Sequence, residues 1–433
     1  MRLALAAAFL VAACSSTPAA IPDLATSAGT SASGARLLYL TGSVDGAGLI
    51  PIDSLSLRDL SSEPLLRAKP AEPNPCGGSY SGPCALVTAS ADASALAVVG
   101  YSTSGASRVS VFDARSGALR ARVSPEVPVV VDGLNVDGSR IFARNWPPAQ
   151  LGAERLVLDA GTGKVLEREP AFPLDGTPVA WVIENETRHL YALMTSADLR
   201  ATGPREVEAR AWDLRTGKEL WRRDLPSLLA GEWLTGRVGS EGEMRARLVP
   251  GIALSPDGRE LAVVRAFDCC APHGTLWLVD AVRGDLLSQR PYGGATSIFE
   301  RLFAPSIALA KEDDEVAVNA SFGADGSVLH VYSQSWKFDG RPEPYQYLGM
   351  VAVEVASAKV LGSDVKMEQW WYQNRVHWVR PSSDGEWLYV FLERAGNADP
   401  KGYVLRRLDP RTLAVLAERR LESYRNGFVL AAP

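Results

Sequence analysis

The sequence predicts an all-β fold in which seven similar four-stranded sheets stand around an axis. Three observations predict it. One turn pattern, an apolar run followed by an acidic residue and a tight polar turn, recurs seven times. A second turn pattern precedes it in six of the seven units. One β-prone segment without a hairpin partner is left over at each end of the repeat array. Self-similarity at a period of tens of residues is the mark of repeat architectures, in which each unit buries its apolar face against the next.

The N-terminal 34 residues stand outside the repeats. Met1 and Arg2 precede an apolar run from Leu3 to Ala13, and Cys14 follows. A basic start, a short apolar stretch and small residues read as a secretory signal, and the run is too short to span a bilayer. Val11-Ala12-Ala13-Cys14 resembles the lipobox of bacterial lipoproteins, in which the cysteine becomes the lipidated first residue of the mature chain. The plainer alternative is an ordinary signal followed by a chance cysteine. The resemblance implies a signal peptide over 1–13 and lipidation of Cys14. It places the chain in the cell envelope, on the outer face of the cytoplasmic membrane or on the outer membrane. Residues 14–34 are rich in Ala, Ser, Thr, Gly and Pro and read as a flexible tether. The remainder, 35–433, is read as one domain.

The first turn pattern reads Phe112-Asp113-Ala-Arg-Ser-Gly117, Leu158-Asp159-Ala-Gly-Thr-Gly163, Trp212-Asp213-Leu-Arg-Thr-Gly217 and Val279-Asp280-Ala-Val-Arg-Gly284. Weaker copies start at Ile52-Asp53, Val353-Glu354 and Leu408-Asp409. Short polar side chains bond nearby backbone and Gly tolerates positive φ, so each copy suits a tight turn. The second pattern is clearest in Ser255-Pro256-Asp257-Gly258, Ser382-Ser-Asp384-Gly385 and Asn135-Val-Asp137-Gly138. Degenerate copies are read at Ser90–Val98, Glu184–Ala192 and Lys311–Val318. Asp-Gly between apolar β-prone runs is a strong hairpin signal. Each unit is therefore four strands, A to D, with the Asp-Gly turn between A and B and the acidic turn between C and D.

The first unit lacks strand A and begins at strand B with Arg36–Leu40. The chain ends with an extra β-prone run, Gly427–Ala432. Placing that run in the missing position closes the ring. The pattern resembles the WD-repeat, YVTN-type and quinoprotein-like propeller superfamily, which implies a seven-bladed β-propeller closed by pairing of the C-terminal strand with the first blade. Trp212, Trp221, Trp277 and Trp387 then read as core between blades.

The chain carries 45 basic and 50 acidic residues for a net charge of −5, so no nucleic-acid partner is expected. Apart from Cys14 four cysteines remain, an even number in an oxidising compartment. Four cysteines allow three pairings, of which Cys76–Cys84 with Cys269–Cys270 is expected. Neighbouring Cα atoms lie about 3.8 Å apart, below the usual disulfide range of about 4.4–6.8 Å, so a vicinal bridge requires a distorted linkage. The spacing matches no zinc pattern, and no nucleophile elbow, phosphate loop or metalloprotease helix is present.

Function is expected on the face that carries the B–C and D–A connections, because these are long and irregular while the repeated turns are short. Ala230–Arg247 and Gly323–Tyr347 are read as two such loops. The second carries Trp336, Phe338, Tyr345 and Tyr347, and the next loop adds Trp370, Trp371 and Tyr372. Large aromatics make contact area at low entropic cost. They form the candidate ligand-binding set, with His377 as a candidate for the central channel; packing of these rings on one another is the competing account. The expectation is a monomeric binding or scaffolding module for a protein or glycan, without a cofactor, metal or catalytic set. The propeller resemblance carries the alternative of a lactonase-like or quinoprotein-dehydrogenase-like enzyme or redox subunit.

Overall fold

The computed structural model describes residues 36–40, 50–56, 62–68, 86–90, 94–101, 107–114, 116–127, 129–145, 153–196, 205–230, 232–237, 243–266, 273–293, 314–337, 346–364, 374–382, 385–394, 402–421 and 429–431. Their regular structure is all strand. β1 (Arg36–Leu40), β2 (Ile50–Ser56) and β3 (Ser62–Ala68) come first. β4 (Leu86–Ala89), β5 (Ala95–Tyr101), β6 (Ser107–Asp113) and β7 (Leu119–Val123) follow. Next are β8 (Val129–Leu134), β9 (Arg140–Asn145), β10 (Arg155–Asp159) and β11 (Val165–Glu169). Then come β12 (Thr177–Glu184), β13 (His189–Thr195), β14 (Arg205–Asp213) and β15 (Lys218–Ala230). A short pair, β16 (Glu232–Arg237) and β17 (Glu243–Val249), precedes β18 (Gly251–Leu254), β19 (Glu260–Ala266), β20 (Gly274–Asp280) and β21 (Leu286–Tyr292). The last units are β22 (Asp314–Phe322), β23 (Val328–Lys337), β24 (Gln346–Glu354) and β25 (Val360–Ser363), then β26 (Asn374–Pro381), β27 (Leu388–Arg394), β28 (Gly402–Leu408) and β29 (Val415–Leu421), with β30 (Val429–Ala431) at the end.

Consecutive groups of four pair as antiparallel meanders. The chain is a β-propeller. Its turns explain why. In the acidic turn the carboxylate of Asp159 accepts from the Thr162 amide and hydroxyl, both at 2.7 Å, and Gly163 N–H returns to the Asp159 carbonyl at 2.8 Å. Asp409 holds Thr412 in the same way. In the Asp-Gly turn the Asp257 carboxylate accepts from the Arg259 amide at 3.1 Å and from the Ser255 hydroxyl at 2.6 Å. One backbone bond then ties the two turns together: the amides of Ala114, Ala160, Leu214, Ala281 and Val355 donate to the carbonyls of Ser94, Ser139, Arg188, Arg259 and Ser327. Local chemistry thus writes the same hairpin pair into each unit. The weaker copies at Val353-Glu354 and Leu408-Asp409 turn the same way, with Ala358 and Leu413 held at φ of 58° and 59° where other blades place glycine.

Between units, alternate residues of facing sheets interlock. One core joins the β4–β7 and β8–β11 sheets through Val109, Val123, Ile141 and Leu156. Phe172 stacks on Trp212 at 6.0 Å and carries the packing to the β12–β15 sheet. Trp221 and Trp277 fill the core between β12–β15 and β18–β21 and donate to the carbonyls of Ala281 and Pro226. Two further cores link β18–β21 to β22–β25, and β22–β25 to β26–β29. Trp212, Trp221 and Trp277 are core, as expected. Arg407 lies over the Trp387 ring at 4.9 Å.

The described packing therefore accounts for six blades, not the seven expected. The remaining sheet, in the order β3-β2-β1-β30, is described by strand pairing alone, with Leu37, Leu38 and Tyr39 opposite Ala431, Leu430 and Val429.

Two expected loops are largely strand. Residues 230–247 contain most of the β16–β17 hairpin, and 323–347 contain β23. The Asp-Gly turn of this blade is Ala324-Asp325-Gly326-Ser327 rather than the 311–318 segment. The physical reason is the same turn chemistry: Asp325 accepts from the Ser327 amide and hydroxyl, and Gly326 sits at φ 73°.

Candidate functional site

The two ends of the strands differ. At one end the A–B and C–D turns occupy only short spans such as 135–139, 160–164, 255–259, 281–285 and 355–359. At the other end run the connections 69–85, 146–154, 196–204, 231–250, 293–313 and 338–345. The second end also receives an addition. β17 pairs in parallel with the start of β22, and β16 pairs with β17, so a hairpin extends this blade to six strands. β22 is the first strand of its blade, and in a propeller the free edge of that strand faces the central axis. The hairpin therefore lies toward the channel mouth at the long-connection end.

The pairing aligns a row of residues across this extended sheet. Trp233 on β16 is opposite Arg247 on β17, Arg247 is opposite Glu315 on β22, and Glu315 is opposite Trp336 on β23. Of the residues singled out from sequence, Trp336 thus ends in this row. Tyr347 lies at the same end of the same sheet, opposite Gln334. His377 falls on β26, the first strand of the next blade, at the break in register between Val376 and Trp378. It is the extra residue of a bulge, a device that re-aims a side chain. Phe338, Tyr345, Trp370, Trp371 and Tyr372 lie outside the described residues. So do Cys14, Cys76, Cys84, Cys269 and Cys270, and with them the expected disulfides.

Two buried polar clusters lie elsewhere. Between the β8–β11 and β12–β15 blades, the Arg155 side chain is 2% exposed and donates to Glu169 at 3.1 Å and to Asn185 at 2.9 Å. Asp132, the extra residue of a bulge in β8, takes Arg144 at 2.8 Å. Arg188 bonds Glu167 and stands 3.5 Å from Glu169. Burial pushes the Glu169 carboxyl above its usual range, against the pull of Arg155 and Arg188. Three arginines face three carboxylates, which is a structural balance and not a reactive excess.

The second cluster lies between the β22–β25 and β26–β29 blades at the short-turn end. A cavity of about 80 Å³ is lined by Asp325, His330, Pro381, Pro410 and Arg411, among others. His330 is fully buried and its Nε2 bonds the Pro410 carbonyl at 2.8 Å. Burial lowers its pKa to about 4, opposed by the nearby Pro410 and Ser321 carbonyls, so the ring is neutral at physiological pH. A neutral imidazole tied to a neighbouring turn is a fastener. Among the described residues no group of three or more His, Cys, Asp or Glu gathers to hold a metal, and no helix is long and apolar enough to cross a membrane.

No family model and no curated protein matches the chain. Solved structures do. A structure titled a putative 6-phosphogluconolactonase from Bacteroides uniformis aligns over 91% of this chain and 99% of its own at 12% identity and a TM-score of 0.46. A second, from Bacteroides fragilis, aligns over 93% and 99% at 14% identity and a TM-score of 0.44. Hydrazine synthase from Kuenenia stuttgartiensis aligns over 80% and 94% at 12% identity and a TM-score of 0.44. Likeness at this level concerns the course of the backbone and carries nothing about activity.

The β16–β17 hairpin stands where the sequence is read as a loop. A signal was there: Trp233, Leu234 and Thr235 are β-prone, and Met244 to Leu248 alternate apolar with basic. No sequence signal marks the Arg155–Glu169 cluster, which exists only because two blades meet.

Proposed function

We propose that the chain is an extracytoplasmic, lipid-anchored propeller of seven blades that serves as a binding or scaffolding module through its long-connection end. The seventh blade is the β3-β2-β1-β30 sheet, with the C-terminal strand supplying the innermost position and closing the ring. The pairing of β30 with β1 supports closure. The lipobox-like Val11–Cys14 segment supports the anchor.

The observation that carries the binding reading is the six-stranded sheet. A hairpin inserted between two blades, and returned to the inner edge of a third, brings Trp233, Arg247, Glu315 and Trp336 into one register row. A register row that carries two tryptophans, an arginine and a glutamate has the residue types that suit a saccharide, whose apolar faces stack on aromatics and whose hydroxyls need donors and acceptors. A glycan is therefore the favoured ligand class, and a protein surface the second.

The test is affinity electrophoresis of the full-length, detergent-solubilised protein through gels cast with cell-envelope polysaccharides. Retardation that Trp233→Ala and Trp336→Ala each reduce severalfold, with unchanged thermal unfolding, is the expected result. Equal migration of wild type and both variants in every gel would remove the glycan reading. A stoichiometric metal or a quinone absorption band in the purified protein would replace the module with a propeller enzyme of the lactonase-like or quinoprotein-like kind.

A further inference from the structure

We infer that the short-turn end of the disc faces the lipid surface, and that the leucines displayed there by a repeated β-bulge in four blades touch it. The inference rests on the lipid-anchor and seventh-blade readings above. It adds an orientation and a contact surface.

The outer strand of each blade breaks register just after its C–D turn. Val157 is opposite Glu167 and Leu158 is opposite Val165, which leaves Leu166 as the extra residue. The same break leaves Leu220, Leu287, Leu361 and Leu416 in four other blades. In the β4–β7 blade the extra residue is Arg120, and its neighbour Leu119 is 44% exposed. Leu166, Leu220, Leu287 and Leu416 are 49%, 45%, 52% and 50% exposed. Single exposed leucines are ordinary on any surface. Leu361 packs on the core between its blade and the next. Four exposed leucines at one register position and one end of the disc make a shared apolar rim. Val282, at the tip of a C–D turn, extends the same rim and is 68% exposed.

The occupant follows from where the chain enters. β1 holds the second position of its sheet, antiparallel to β30. The second strand of every other blade starts at the short-turn end, directly after its A–B turn. The chain therefore enters the disc at that end, and only residues 15–35 separate it from Cys14. A Gly/Ser-like tether of that length has a typical span of about 25 Å. An acylated Cys14 holds the short-turn end beside the bilayer, and the tether makes the second contact effectively intramolecular. The acidic A–B turns lie nearer the axis, with Asp137, Asp257 and Asp325 bonded to their own turns, so the rim and not the centre meets lipid. The long-connection end then points away from the membrane, toward a partner.

The experiment compares two full-length proteins by hydroxyl-radical footprinting with mass spectrometry. One is the wild type on vesicles of phosphatidylethanolamine and phosphatidylglycerol. The other is Cys14→Ser free in buffer. Oxidation of Leu166, Leu220, Leu287 and Leu416 should fall at least threefold on vesicles, while Arg108, exposed where β6 begins at the opposite end, stays unchanged. An acylated Cys14 peptide with no change at the leucines, or with protection at Arg108 instead, overturns the orientation and leaves the anchor standing. A Cys14 peptide without acyl mass overturns the anchor, and the orientation with it.

Discussion

Replacing Gly163 with alanine separates what a turn costs by itself from what it costs because another blade is pressed against it. Gly163 has φ of +76°, and a Cβ built on it lies 2.2 Å from Cγ1 of Val123 in the preceding blade. Gly258 occupies a turn with nearly the same φ, +70°, and nothing stands within 4 Å of its Cβ. The left-handed backbone costs an L-residue about 1–2 kcal/mol at either site. Carbon atoms prefer separations of about 3.5–4.0 Å, so the Gly163 methyl overlaps Val123 deeply. Val123 is 1% exposed inside a close-packed core and has nowhere to go. Overpacking of this kind costs roughly 1–3 kcal/mol more. Gly163→Ala should therefore lose about 2–5 kcal/mol, and Gly258→Ala about 1–2 kcal/mol. Adding Val123→Ala to Gly163→Ala removes the overlap, so the double variant should be more stable than the sum of the two single losses by about 1 kcal/mol or more. Urea unfolding at constant m-value measures the wild type, the three single variants and the double variant. Equal losses at the two glycines, or strict additivity in the double variant, would refute the claim that blade contact, and not only turn geometry, requires Gly163.

Two further predictions concern the buried polar clusters. His330 has a pKa of about 4 when folded against an ordinary value of 6.5, so between these limits the unfolded chain binds more protons. Its contribution is complete above pH 6.5 and is lost as pH falls to 4. The full loss is on the order of 3 kcal/mol, and His330→Gln should flatten that part of the stability profile measured at pH 7 and pH 4.5; an unchanged slope would assign it to other groups. Arg155→Met takes the closer of two arginines from Glu169, whose side chain is 2% exposed, and should cost about 3–5 kcal/mol. Adding Glu169→Gln should recover part of that in thermal unfolding, because the under-compensated buried charge is the source of the penalty; no recovery would locate the loss in packing.

Legibility followed the range of the interactions. The acidic and Asp-Gly turns were readable because each is closed by bonds within about five residues, such as Thr162 to Asp159 and Arg259 to Asp257. Val353-Glu354 and Leu408-Asp409 were readable as weaker copies even without their glycines, since the carboxylate and the hydroxyl do the bonding. The turn at Ala324–Ser327 was misplaced because a nearby acidic segment competed with it. Of the aromatic candidate set, only Trp336 and Tyr347 are brought to one place by described strands.

Local spacing of polar, glycine and β-prone residues by itself determined that this chain folds as repeated hairpin pairs, and where most of the turns lie. Only the tertiary structure decided that β17 runs parallel to β22, that Arg155 reaches Glu169 and Asn185, and that Val123 stands over Gly163. A turn is specified by neighbours along the chain. A strand added to an inner edge, or a charge shared between two blades, is specified by surfaces that meet only after the blades have packed.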